Sequence, residues 1–225
     1  MKTAISYWSV AVAAIILGTL VTGISTGQPI ASSTFDVDAD NWRVVSTLGH
    51  DAAPNWAASG GNPDGFIWAQ DPDTGAFGFS APSKFLGNVS GAYGNELTFD
   101  IASYQAPENP SSWVGIRGTN GLDLIHYFST PSSVYPDWHG RTIWMTESAG
   151  WVRVSDGQPP SYAQMMSVLS NMEGMAIVAE FVEGFGNDIS GLDNVVLVPE
   201  PSSLALLGIA AVGLLACVRR KRRCR

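Results

Sequence analysis

Three sets of residues in this sequence could do chemistry. The run Asp36-Val37-Asp38-Ala39-Asp40-Asn41 offers carboxylates at alternate positions, a hard-oxygen set of the kind that holds a divalent cation such as calcium. It is not an EF-hand loop, because Asn41 stands at the sixth position in place of glycine and Thr47 at the twelfth in place of glutamate. Strand alternation gives a competing reading, with Phe35 and Val37 facing inward and the aspartates solvated. The second set is aromatic: Trp42, Trp56, Trp68, Trp113, Trp138, Trp144 and Trp151 all lie beyond the N-terminal apolar segment. Trp and Tyr stack on the apolar faces of sugars while nearby Asp and Asn accept hydroxyl hydrogen bonds. Trp56, in Pro54-Asn55-Trp56, and Trp138, in Pro136-Asp137-Trp138-His139, fall in loop-like stretches and are the candidates for such a surface, with packing as the competing role. The third set is catalytic, and it is thin. There is no H-E-x-x-H or Walker loop, and His50, His126 and His139 are far apart. Paired carboxylates could hydrolyse glycosides, but an acid-rich domain supplies such pairs by chance. The chain is expected not to be an enzyme, and His126, inside Leu124–Phe128, to be structural.

What must position these residues is a turn-rich domain. The chain has 225 residues, 24 of them Gly and 13 Pro, with 14% charged and 45% apolar. That balance argues against disorder and against a nucleic-acid binder. Between residues 32 and 198 five basic residues face nineteen acidic ones, a net charge near −14 that repels acidic polymers. Both cysteines, Cys217 and Cys224, lie in the C-terminal tail, so this middle region has no disulfide or thiolate site and must rely on an apolar core. Glu96-Leu97-Thr98-Phe99-Asp100-Ile101 alternates as a half-buried strand. Similar runs at 34–38, 42–48, 66–69, 113–117, 122–128, 142–146, 151–154, 176–182 and 192–198 bring the total to about ten. Turn clusters such as Asp71-Pro72-Asp73-Thr74-Gly75 separate them, which predicts a β-sandwich. One helix interrupts the strands after Pro159-Pro160, with Ser161 and Gln164 as a capping box and Tyr162, Met165, Met166, Leu169 and Met172 as an apolar stripe.

The two ends read as addresses. Residues 1–31 comprise a secretory signal, Met1-Lys2 followed by an apolar run through Leu17 and small residues near Gly23, with a short linker; an uncleaved membrane helix is the alternative. Residues 199–225 carry Pro199-Glu200-Pro201, an apolar stretch from Leu204 to Val218, and Arg219-Arg220-Lys221-Arg222-Arg223. Fifteen residues of helix reach about 22 Å, short of a hydrocarbon core of about 30 Å, so insertion requires thinning or snorkelling. The basic cluster stays cytoplasmic and leaves the preceding domain outside.

This three-part tail resembles the PEP-CTERM sorting signal of Gram-negative bacteria. That resemblance implies recognition by an exosortase-type membrane protease, a cut near Pro199-Glu200-Pro201, and a role in exopolysaccharide or biofilm matrix. The middle region, 32–198, resembles the laminin B domain, or laminin domain IV. The residues that carry this are Phe35-Asp36, Asn41-Trp42, Phe85-Leu86-Gly87-Asn88, Ala92 to Asp100, Gly150-Trp151 and Gly191-Leu192-Asp193-Asn194-Val195. It implies an extracellular, non-catalytic jelly-roll β-sandwich of the galactose-binding-like kind, flanked by an N-terminal signal helix and a C-terminal transmembrane helix. Jelly-roll modules often hold a structural calcium between their first and last strands, so Asp36 with Asp193 is the expected metal pair. The expected function is an exported adhesive or structural matrix component whose partners are polysaccharide or matrix proteins; a calcium-dependent carbohydrate-binding module is the alternative.

Overall fold

In strand β7 (Glu96–Ser103), Leu97, Phe99 and Ile101 are at most 1% exposed, while Thr98 and Asp100 face outward. That period-two pattern is what a sheet buried on one face requires. The structure is a computed structural model that describes residues 28–182, 186 and 188–199. Two antiparallel sheets enclose the core. The first runs in the order β10 (His139–Trp144), β7, β13 (Ile189–Leu197), β5 (Phe66–Gln70), β4 (Asn55–Ala57). Strand β1 (Ala31–Ser33) also pairs with β13, opposite Val195–Leu197, whereas β5 pairs with Ile189–Leu192. The second sheet runs β11 (Val152–Arg153), β9 (Asp123–Ser129), β8 (Ser111–Gly118), β12 (Met172–Val178), β6 (Phe77–Ser80), β2 (Arg43–Ser46), β3 (Asp51–Ala52). The β-sandwich with one helix is as expected.

Between the sheets, Phe99 meets Phe128 edge-on at 5.3 Å. Trp42, 1% exposed, sits between Phe35 and Phe85 with ring centroids 6.1 and 5.4 Å away, and its indole N–H donates to the Ser33 hydroxyl at 2.8 Å. Helix α1 (Tyr162–Ser170) begins at Ser161 with the full capping box. Gln164 N–H donates to Ser161 Oγ at 3.3 Å, and Ser161 N–H to Gln164 Oε1 at 2.8 Å. The helix buries Met165, Val168 and Leu169, but Tyr162 is exposed and Met172 opens β12, so the methionine stripe is shorter than its spacing implied.

Two expectations need correction. Residues 34–38 are not a strand: β1 stops at Ser33, Phe35 takes φ 56°, and Val37 points to solvent at 80% exposure. The aspartates there make local turns instead, with Asp40 N–H donating to Asp38 Oδ1 at 2.7 Å and the Ser33 hydroxyl to Asp40 Oδ2 at 2.7 Å. Strands β3, β4 and β6 were not among the expected runs, since two to four residues are too few for periodicity to register. Among the described residues no helix is long and apolar enough to cross a membrane, and 204–218 lies outside them.

Removing the Trp42 ring leaves a cavity between β1 and Phe85 and takes away the donor to the Ser33 hydroxyl. Trp42→Ala is expected to cost about 3–5 kcal/mol, read as a lower urea midpoint with unchanged slope. A loss under 1 kcal/mol would show that this cluster is not the core.

Candidate functional site

The loop from Gly61 to Gly65 lies between the start of the domain and the last strand. Asp193, fully buried in β13, accepts Asn62 N–H on Oδ2 and Asn194 N–H on Oδ1, both at 2.7 Å. Burial pushes this carboxyl up to about 6, the neighbouring Asp100 and Asp36 adding to the shift and the two backbone N–H groups opposing it. Asp100 is held by amides, Asn194 Nδ2 at 2.9 Å and Asn62 Nδ2 at 3.2 Å. Asn194 itself takes φ 50°, where the register of β13 against β7 shifts. A Cβ at Gly61 would lie 2.6 Å from Asp193 Oδ2, 2.6 Å from the Gly65 carbonyl and 3.0 Å from the Asp64 carbonyl. These three oxygens pack against the Gly61 backbone, so any side chain there would clash, and two of them are already hydrogen-bonded, the Asp64 carbonyl by Gly61 N–H and Asp193 Oδ2 by Asn62 N–H. Asp36 is an electrostatic neighbour of Asp193, but its carboxylate accepts the Thr34 hydroxyl at 2.7 Å. Among the described residues no three His, Cys, Asp or Glu side chains group closely enough to hold one ion.

The two tryptophan candidates are drawn into packing. Trp138 donates its indole N–H to the Gly60 carbonyl at 2.9 Å and meets Phe66 edge-on at 5.3 Å. Tyr135, three residues earlier, stacks flat on Tyr104 with centroids 4.5 Å apart and planes 3° apart. This segment therefore lies on the outer face of the first sheet. Trp56 sits in strand β4 rather than in a loop, 39% exposed, with its N–H on the Phe35 carbonyl at 2.6 Å. The two rings do not converge on one surface with free polar edges. His126 packs edge-on to Trp151 at 5.4 Å, its Nε2 2.9 Å from the Ala149 carbonyl.

Sequence reasoning missed a second acidic group, contributed by the turn after β5 and the segment before β13. Asp71 Oδ1 accepts Asp73 N–H at 3.2 Å while its Oδ2 is buried without a partner. Asp188, fully buried, accepts the N–H groups of Phe181 and Val182. Glu180 accepts Phe77 N–H at 3.3 Å. Burial pushes Glu180 up to about 7, with Asp71, Asp188 and Asp73 adding to it. The residues come from positions 71 to 188, so no local spacing announces them. Also missed was the pair Trp113 and Tyr127, opposite one another on the outer face of the second sheet. The glycine two places after Trp113 was the available signal.

At the far end of β13, Val198 N–H still donates to the Glu96 carbonyl at 3.0 Å, and Pro199 follows at once. Glu200, Pro201 and Arg219–Arg223 lie outside the described residues.

The sequence model for laminin B (domain IV) matches residues 78–199. The chain belongs to this family. A second model, the PEP-CTERM protein-sorting motif, matches residues 197–222 and indicates an exported protein that passes through an exosortase-type processing system. Human laminin subunit gamma-2 is 38% identical over 93 residues, 41% of this chain and 8% of that protein. The chain thus spans less than a tenth of this laminin B-containing relative. Among solved structures, the L4b domain of human laminin alpha-2 has a TM-score of 0.60 at 16% identity, covering 76% of this chain and 98% of that one. A family 11 carbohydrate-binding module from Clostridium thermocellum, in its solution structure, has a TM-score of 0.50 at 17% identity, covering 78% and 98%. Both likenesses are of fold.

Glu180 gives the laminin B domain a pH dependence. A carboxyl raised from 4.5 to about 7 holds its proton in the folded state while the unfolded chain has released it, so stability falls as pH rises through that window and stays lower above it. Glu180→Gln is expected to raise the urea midpoint at pH 8 and leave it unchanged at pH 4. Equal shifts at both pH values would contradict this origin.

Proposed function

We propose that the protein is an exported, non-enzymatic component of an extracellular polysaccharide matrix, delivered by its sorting tail and acting through its laminin B domain as an adhesive or structural element. The observation that carries this is the junction: the domain match ends at 199 and the tail match begins at 197, so the sorting motif starts where the central strand stops. A cut near Pro199-Glu200-Pro201 would fall just outside the last ladder hydrogen bond, at Val198, and release the domain intact. The non-enzymatic reading is supported by the buried carboxylate Asp188, whose Oδ2 accepts the Phe181 and Val182 N–H groups and whose Oδ1 accepts the Ser190 hydroxyl. With an exosortase-type protease co-expressed, the chain is expected to lose its C-terminal segment. Glu200→Ala should stay full length in the membrane fraction. Identical lengths with and without the protease would overturn the reading.

Asp193 favours a second element of this reading, a structural calcium that would make the domain a calcium-dependent carbohydrate-binding module. Asp193 with its electrostatic neighbour Asp36 would hold the ion between the first and last strands. Bound calcium would offset the charge that Asp193, Asp100 and Asp36 place together. A ligand at a hundredfold excess over its Kd stabilises the folded state by about 2.7 kcal/mol. Tm is therefore expected to rise by several degrees with calcium over chelator, and not to do so in Asp193→Asn. A calcium-independent Tm in the parent chain would remove this element.

A further inference from the structure

The two outer faces of the sandwich are treated differently. The first sheet is covered over Phe66 and Gly191 by the segment carrying Tyr135 and Trp138, with Trp144 left 50% exposed at its β10 edge, whereas the second presents Trp113 and Tyr127 side by side from neighbouring strands β8 and β9. In β8, Val114 and Ile116 point into the core, so Trp113, Gly115 and Arg117 point out. Register then lays out the face. Gly115 lies opposite Ile125 on one side and Ala176 on the other, Ala176 opposite Ser80, and Ser80 opposite Arg43. A Cβ on Gly115 would be 2.9 Å from Trp113 Cζ3 and 3.4 Å from Cε3. The benzo ring of Trp113 therefore lies down along its own strand, against the backbone of Gly115. The indole meets Gly115 through its Cε3–Cζ3 edge, and the absence of a Cβ there leaves room for the ring on the outer face, where a sugar can stack on it. Tyr127, 54% exposed, stands beside it with its hydroxyl at the solvent edge. Beyond the indole the residues are small: Gly115, Ala176 and Ser80, then Val178 opposite Gly78. Val178 points outward by alternation from Ile177 yet is only 6% exposed, so its neighbours cover it.

Charge narrows what can lie on that face. Arg117 grips Asp123 with two bonds of 2.6 and 2.8 Å, and Arg43 reaches Asp51 at 2.7 Å. Two of the five basic residues between 32 and 198 are thus on this face, against Asp51, Asp123 and the nearby Glu173. The face is close to balanced in a domain that is otherwise strongly acidic, and its bonded Arg–Asp pairs present donors and acceptors without a free charge. From β9 to β2 it is four strand spacings wide, about 19 Å, which suits an oligosaccharide better than a single sugar.

We propose that the outer face of the second sheet is the glycan-binding site of this domain, taking a segment of a neutral polysaccharide with Trp113 as the stacking platform and Tyr127, Ser80, Arg43 and Arg117 as its polar surround. This rests on the matrix reading above and replaces Trp56 and Trp138 as the sugar-facing residues. The test is affinity electrophoresis of the full-length chain in mild detergent, in gels cast with mixed-linkage β-glucan, hydroxyethylcellulose or dextran, with alginate as the acidic polymer. Retardation is expected in at least one neutral gel and not in alginate, with the apparent Kd weakened at least tenfold in Trp113→Ala and severalfold in Tyr127→Ala. Gly115→Val, which lifts the indole off the backbone, should weaken binding as much as Trp113→Ala. Tyr127 is exposed enough for its variant to keep the fold, which circular dichroism checks. Retardation that survives all three variants would overturn the site and leave the matrix reading standing. Retardation only in alginate would overturn the neutral-glycan assignment. No retardation in any gel would overturn both the site and the polysaccharide partner, leaving export and sorting to the cleavage test.

Discussion

Strand β13 is the element on which the rest of this structure depends. Among the described residues it is the last strand, yet it lies in the middle of the first sheet, hydrogen-bonded to β7 along one edge and to β5 and then β1 along the other. The first and last described strands are therefore closed against each other, and the domain is complete only when the whole length from Ala31 to Leu197 is in place. A buried central strand tolerates polar residues only where they are satisfied. Asp193 meets that condition through two backbone N–H groups, and its placement at the register shift brings Asp100, Asn62 and the Gly61–Gly65 loop to one spot.

The same strand links folding to delivery. Because the sorting motif follows β13 without a spacer, the residue that ends the sheet is almost the residue at which the tail begins. A cut beyond Val198 would spare every strand of the described sandwich. An acidic domain with one nearly balanced face would stay soluble among anionic polymers while holding an uncharged one.

Much of this was legible in the sequence where burial imposes a period. Leu97, Phe99 and Ile101 announced β7, and Ser161 with Gln164 announced α1, because alternation and capping are local rules. Thr34–Asp38 looked equally regular and is a turn, since Phe35 is buried from a left-handed backbone position that alternation does not describe. Trp56 and Trp138 looked free because prolines precede them, but a proline-rich stretch can still pack flat on a sheet, as Tyr135 does on Tyr104. Trp113 falls in a strand run that does not by itself say which face it takes. The register, with Gly115 beside it and Ala176 next door, shows that the indole lies outside. The acidic group of Asp71, Glu180 and Asp188 was invisible for the same reason: its members meet through sheet topology.

The most direct measurement of the central claim is hydrogen–deuterium exchange on the full-length protein with and without a neutral β-glucan. The account predicts slowed exchange in peptides from β8, β9 and β12, around Trp113, Tyr127 and Ala176, with the first sheet unchanged. Slowing confined to Trp56–Gly65 or to the Tyr135–Trp138 segment, with β8 and β9 unaffected, would contradict it.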